Sequence, residues 1–463
     1  MHTTALLTAT CLSLVTPSEA VPPAQQPSTA SPTRLISDLD TLVGFGTRHT
    51  LSTRQSSTTR GIDAAADWLE RRLKEVAGSG GPALIVRQQR FTLPKGNRIP
   101  EPTPGRNVLA IIPAASSSFA AGQDDKAFAA ALARADAVIV MAHYDSRVTD
   151  VMDATSDSPG ANDNGSGTVA VVEAVRVIRS EIEARKLVLS RDLIFVLTTA
   201  EEQGLLGARE LAEAMRSSTV DVLNLDIVGD PTGHPLADGT VPRDDRRIRV
   251  FSEALPRELP AEKLAQLRAA GAENDSMSRQ LSRFIAETAA LGPTRLQPMQ
   301  VHRSDRFLRG GDHTPFNEVG HAAVRFTQVF EDYDRQHQLV VPGKGDLARH
   351  VDGTYLAGVV DLVSAAAIRL ASAPRPPEKV ELVIADLTHD TQLRWSGSTS
   401  PNAAGYSVVW RETTSNEWTG LRKADDTREI RLEMNKDNYF FGIRAVDANG
   451  NGGLVRPAVP VRK

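Results

Sequence analysis

The chain carries a formal net charge of -4 over 463 residues, 41% of them hydrophobic and 24% charged. That composition belongs to a globular protein with enough apolar material for two cored domains. It contains no basic block, which argues against nucleic acid or an anionic membrane as partner, and no apolar run of the roughly 20 residues that cross a bilayer.

From the N-terminus, Ala5 to Val15 has the length and apolarity of a signal-peptide core, and Ser18-Glu19-Ala20 offers small residues for cleavage. Residues 1–20 are therefore expected to be a secretory signal, although His2 stands where Lys or Arg is usual, and the protein is expected to be secreted or periplasmic. The one cysteine, Cys11, falls inside this segment. The remaining chain then has no thiolate for catalysis or metal binding and no disulfide. A lipid anchor on Cys11 is the competing reading, disfavoured by Thr10 before it.

Residues 21–34, rich in Pro, Ser and Gln, read as a flexible lead-in. Leu35 to Val43 and Asp63 to Val76 carry helical apolar spacing. His49, in the loop between them, reads as structural. Asn107 to Ile112 reads as a strand closed by Pro113. Val138 onward (V-I-V-M-A-H-Y-D-S) is a buried strand with His143 and Asp145 at its end. Asp163 follows in the loop P-G-A-N-D-N-G-S-G, ahead of a helix. Asp192 to Thr199 is a further strand, ending at Glu201-Glu202, and Val220 to Leu225 another, ending at Asp226. Strands alternating with helical patterns predict a mostly parallel, helix-covered α/β sheet. The polar stretch 231–275 reads as an insertion over one face. Ser278 to Leu291 returns to helix, and Asp352 to Ser372 closes the domain as a long helix.

Three strands that each deliver an acid or a histidine at the same end suit a divalent metal, because ligands gather beyond the carboxyl ends of parallel strands. Zinc takes His nitrogen and carboxylate oxygen. A two-metal site needs one bridging carboxylate and a free carboxylate nearby as general base. Taken singly, each residue has a plainer role: a polar strand end, a helix first turn complementing the dipole, an Asp in a turn. It is their order along the chain that favours the metal reading.

That order, A-H-Y-D-S, P-G-A-N-D-N-G-S-G, E-E-Q-G-L-L-G, N-L-D-I-V-G, then D-H-T-P-F and a final His, resembles the M28 family of zinc aminopeptidases over residues 35–373. The resemblance implies two zinc ions per chain. His143 and Asp226 would bind one, Glu202 the other, and Asp163 both. His337 in Y-D-R-Q-H would be the fifth ligand, although Leu339-Val340-Val341 stand where the family usually places an acid. Glu201 would be the general base and Asp145 would hold His143 in place. His313 is the alternative fifth ligand; with Asp312 it is expected to border the pocket. His302, His321 and His350 read as structural. The implied activity is removal of N-terminal residues from peptides with a free N-terminus. Glutaminyl cyclase, carboxypeptidase and a non-catalytic binding protein are the rival readings.

Residues 374–377 read as a linker, and beyond them the texture changes to about seven short alternating strands, a small β-sandwich over 378–463. Trp395, Tyr406 and Y-F-F-G-I-R-A-V-D-A-N-G-N-G make it resemble a fibronectin type III domain. Such a domain is expected to act as a spacer or as a contact surface for polymer or cell wall.

Overall fold

The computed structural model describes residues 30–54, 57–256 and 259–462. The expected signal segment 1–20 and most of the lead-in lie outside the described residues. Residues 32–34, read as lead-in, already begin a helix. Ser31 Oγ accepts the Arg34 amide at 3.3 Å and Pro32 occupies the first turn, where its missing N–H costs nothing.

Eight strands form one sheet: β1 (Ile85–Leu93), β2 (Thr103–Ile112), β3 (Asp136–His143), β4 (Asp192–Thr198), β5 (Thr219–Leu225), β6 (Arg247–Ser252), β7 (Gln297–Val301) and β8 (Ala322–Thr327). Their spatial order is β1-β2-β4-β3-β5-β8-β6-β7. The central block β4-β3-β5-β8 is parallel, as its near-continuous apolar runs require for strands covered on both faces. Antiparallel pairs join β1 to β2, β2 to β4 and β6 to β8, so the whole sheet is mixed. The stretch 231–275 is only in part an insertion: it contains β6, which pairs with both β8 and β7.

The sheet is sandwiched by helices. On one face lie α1 (Pro32–Val43), α2 (Ile62–Gly78), α4 (Gly167–Arg185), α7 (Met277–Ala290) and α9 (Gly353–Ser372). On the other lie α3 (Asp125–Leu132), α5 (Leu206–Ala214) and α8 (His313–Glu318). The exposed α6 (Ala261–Ala269) buries no residue. By length and composition α9 could cross a bilayer, but 78% of its apolar window is buried inside the fold, as in a core helix.

The chain beyond α9 forms two four-stranded sheets. One has the order β13 (Glu429–Leu432), β10 (Thr391–Trp395), β9 (Val380–Val383), β16 (Val459–Val461). The other runs β12 (Gly420–Asp425), β11 (Gly405–Glu412), β14 (Tyr439–Val446), β15 (Arg456–Pro457). β15 and β16 are halves of one last strand that changes sheet at Ala458. Trp395 and Tyr406 meet in the core between the sheets with ring centroids 5.9 Å apart.

This sandwich is docked on the α/β domain through buried charge. Asp275, just before α7, accepts Arg283 Nη1 at 2.9 Å and Arg411 Nη2 at 2.9 Å, and all three side chains are at most 4% exposed. Trp418 Nε1 donates to Gln280 at 3.0 Å and Arg444 pairs with Glu287 at 2.7 Å. Even the linker is held, with Arg375 Nε 2.8 Å from Asp136 at the start of β3.

Candidate metal centre

β3 lies between β4 and β5; α4, which follows β3, packs on one face of the sheet and α5, which follows β4, on the other, so the chain leaves these neighbouring strands in opposite directions and opens a crevice at their carboxyl ends. His143, the last residue of β3, stands at that crevice with its side chain 1% exposed. Asp226 follows β5 directly, and Glu201-Glu202 follow β4 after a turn in which Ala200 takes a φ of 57°.

Asp163 comes from the loop before α4, and three contacts fix its backbone. Asp346 accepts the Asn162 amide at 2.8 Å and the Asp163 amide at 2.7 Å. Asn164 Nδ2 donates to the Leu225 carbonyl at 2.8 Å. Gly160 turns the loop at a φ of 48°, where a Cβ would come within 2.5 Å of Ser146. Arg48, fully buried, clamps the same loop to the end of β3 by donating to the carbonyls of Tyr144 (2.7 Å), Pro159 (2.5 Å) and Gly160 (2.9 Å).

These elements bring five of the expected residues into two clusters that share Asp163: His143, Asp163 and Asp226, and Asp163, Glu202 and His337, each with its three ligand atoms within 4.8 Å of one another. His143 Nε2 is 3.4 Å from Asp163 Oδ1 and 3.7 Å from Asp226 Oδ1. His337 Nε2 is 2.8 Å from Asp163 Oδ2 and 2.9 Å from Glu202 Oε1.

The donor set fits zinc. Tetrahedral ligand atoms about 2.1 Å from a metal stand about 3.4 Å apart, so the first cluster has that spacing and the second needs to spread by about half an ångström. Moreover, His143 Nε2 and Asp226 Oδ1 are buried without a hydrogen-bond partner, although they lie 3.7 Å apart. Buried polar atoms are rarely left so. Two buried atoms that face each other unbonded are what a ligand set about a cation requires; in the second cluster a cation would replace the proton that His337 Nε2 shares with Asp163 and Glu202.

Asp145 does more than face His143. Its carbonyl and Oδ1 are 3.2 and 3.5 Å from His143 Nδ1, and its carboxylate also accepts the amides of Glu201 (3.2 Å) and Glu202 (3.1 Å). One residue thus sets both the imidazole, mainly through its carbonyl, and the Glu201-Glu202 turn, through its carboxylate. Glu201 lines a cavity of about 260 Å³ over the clusters. Burial drives its carboxyl well above the usual range; His143 opposes this, and Glu202 and Asp226 add to it. Glu202 goes the other way: burial resists its ionisation, but His337 and Arg147 hold it at about 2.

Asp312 and His313 do not line this cavity. Asp312 lies behind it, fully buried, accepting Thr198 Oγ1, and burial pushes it up to about 7. His313 Nε2 faces the Ser304 carbonyl at 2.9 Å and belongs to neither cluster. Nor does any described residue of 231–275 form its wall. His49 is buried, its Nε2 3.0 Å from the Val151 carbonyl.

Sequence reasoning passed over Asp346, Gln336 and the arginines of the cavity. Gln336 Nε2 donates to Asp163 Oδ2 at 2.8 Å, and Arg325 Nη2 pairs with Asp226 Oδ2 at 2.9 Å. Gln336 stands next to His337 in the chain, which was a usable signal; for the arginines there was none.

Residues 129–366 match Peptidase family M28. The chain is 39% identical over 416 residues to a probable zinc metalloprotease of Leptosphaeria maculans, covering 88% of this chain and 90% of that protein. It is 38% identical over 432 residues to a probable zinc metalloprotease of Pyricularia oryzae, covering 90% and 80%. Among solved structures it is similar to BSAP, a zinc aminopeptidase from Bacillus subtilis, with TM-score 0.48, 16% identity and coverage of 74% and 95%. It is similar to the glutaminyl cyclase of Fimbriiglobus ruber with TM-score 0.47, 16% identity and coverage of 76% and 99%. The chain belongs to peptidase family M28.

Proposed function

We propose that this protein is a secreted aminopeptidase that holds two zinc ions and removes terminal residues from peptides. The observation that carries the reading is the pair of ligand clusters joined through Asp163, with Glu201 beside them in one cavity. His143, Asp163 and Asp226 would hold one ion, and Asp163, Glu202 and His337 the other. When bound, the ions supply Lewis acidity, polarising the scissile carbonyl and making water acidic.

The chain's own residues do the rest. Glu201 takes the proton from the attacking water and delivers it to the departing amine, a task helped by a carboxyl whose affinity for protons burial has raised. Asp145 keeps Glu201 in register with His143. The apolar segment Ala5 to Val15 supports export. Zinc is favoured by the His-carboxylate donor set and by the relatives' names as probable zinc metalloproteases.

The test is the metal content of the purified protein together with hydrolysis of aminoacyl-anilides. Two zinc per chain, with turnover abolished by chelator, is the expected result. Glu201→Gln should retain both metals and lose about 10²–10⁴-fold in kcat. One zinc without anilide turnover would replace the peptidase with a cyclase.

A further inference from the structure

Four guanidinium groups line the cavity over the two clusters: Arg98, Arg147, Arg309 and Arg325. Two are neutralised there, Arg147 by Glu202 at 2.7 Å and Arg325 by Asp226 at 2.9 Å and Asp305 at 3.0 Å.

The other two are not. Arg98, on the exposed turn between β1 and β2, donates Nη1 to the Glu202 carbonyl at 2.6 Å and forms no ion pair among the described residues. Arg309 donates to the amide oxygen of Gln336 at 3.2 Å. Its carboxylate neighbour, Glu331, is 4.0 Å away and already engaged by Arg249 at 2.7 Å and Arg306 at 2.5 Å. Because Gln336 also donates to Asp163, Arg309 stands one side chain from the shared carboxylate. Arg98 stands one peptide group from Glu202. These two cations, neither with a close ion pair of its own among the described residues, therefore flank the second cluster.

The charge balance points the same way. Among the described residues, the carboxylates lining the cavity are Asp163, Glu201, Glu202 and Asp226, four against four arginines. Two divalent ions would raise the balance to about plus four. Among the described residues no further acid lines the cavity to receive a basic side chain, whereas a carboxylate finds two guanidinium forks.

We propose that the preferred substrates are short peptides that place a carboxylate one residue from the scissile bond, where Arg98 and Arg309 hold it. The proposal rests on the peptidase reading and adds the substrate class. The carboxylate has two sources: the C-terminus of a very short peptide, or the side chain of a terminal Asp or Glu.

Two near-isosteric pairs separate them, assayed with the full-length zinc-loaded protein. They are glutamyl-anilide against glutaminyl-anilide, and leucyl-glycine against leucyl-glycinamide. In at least one pair the carboxylate member should have a kcat/KM about ten-fold higher or more, mainly through KM. The pair that responds names the source. Arg98→Gln and Arg309→Gln should each bring the ratio towards one, and Arg309→Lys should restore part of it. Equal kcat/KM within both pairs overturns the proposal while leaving the peptidase standing. If nothing is cleaved, the peptidase reading fails, and calorimetric titration with glutarate against glutaramide decides this proposal separately. Preferential glutarate binding that Arg98→Gln and Arg309→Gln weaken supports it; equal binding of the two overturns it.

Discussion

Arg147 donates to His337: its Nη2 lies 2.7 Å from His337 Nδ1, while its Nε lies 2.7 Å from Glu202 Oε2. An imidazole that accepts at Nδ1 keeps its proton on Nε2, the atom that faces Asp163 and Glu202. Metal-binding histidines ordinarily donate their second N–H to an acceptor. For His337 to offer Nε2 to a cation, Arg147 has to give up this contact.

The two metal sites should therefore be unequal. In graded chelator the ion held by Glu202 and His337 should leave first, seen as a plateau at one metal per chain by elemental analysis. Arg147→Gln, whose amide oxygen can accept from Nδ1, should narrow the gap by about 10-fold or more. Simultaneous loss of both ions from the unaltered protein would refute the inequality.

Asp346 makes a second prediction. Its carboxylate accepts two successive backbone amides, those of Asn162 and Asp163, and so aims the side chain shared by the clusters. Asn at this position presents one oxygen and one N–H, which opposes one of those amides. Asp346→Asn should weaken metal binding about 10–100-fold, with activity recovered by added zinc. Unchanged affinity would make Asp346 a bystander.

Asp361 predicts a pH dependence away from the metal centre. Burial pushes its carboxyl up to about 6, partly opposed by the amide of Ala30, which donates to it at 2.9 Å. The folded protein thus holds this proton more tightly than the unfolded chain does. The stabilisation is present below about pH 4, where both states are protonated to the same extent, and is lost as pH rises to about 6. Asp361→Asn should match the parent near pH 4 and exceed it at pH 7 by on the order of 1 kcal/mol. Thermal unfolding at both pH values checks the sign.

Asp275 sits under the sandwich domain and neutralises two arginines at once. Replacing it with Ala leaves Arg283 and Arg411 buried without a counter-charge, at a cost of about 3–5 kcal/mol. Denaturant unfolding should show that loss as an earlier transition of the whole chain. A chain cut after Ser372 should be less stable as well, because α7 loses the partners of Gln280, Arg283 and Glu287. Full stability in the shortened chain would make the sandwich an independent appendage.

Much of the α/β domain was legible because its central strands are unbroken apolar runs that end in polar residues. V-I-V-M-A-H and D-L-I-F-V-L-T announce both a buried strand and the place where it meets the crevice. The outer strands were not legible. I-V-R-Q-Q-R-F-T-L and R-I-R-V-F-S carry the arginines and glutamines that half-exposed strands tolerate, so β1 escaped notice and β6 passed for part of an insertion. Four of the proposed ligands stood out because each ends or closely follows a strand or sits in a glycine-rich loop; His337, ten residues beyond β8, came only from the family resemblance. Their supports did not: Asp346 reaches Asp163 across 183 residues, and Arg98 and Arg309 come from loops with no pattern of their own. Asp312 and His313 stand at the start of α8, where the sequence does not say which side chain reaches the cavity, and neither lines it.

The buried triad of Asp275, Arg283 and Arg411 also sets a timetable. Asp275 and Arg411 are 136 residues apart. At synthesis rates of 5–20 residues per second, Asp275 and Arg283 wait about 7 to 27 s for their partner to be made. His337 is made about midway through that interval; from then on the α/β domain has all its proposed ligands but an unfinished face, with Trp418 not yet there to cover α7. The last fifth of the chain thus works as a release condition: the enzyme domain reaches its final stability only after the ribosome has finished the sandwich.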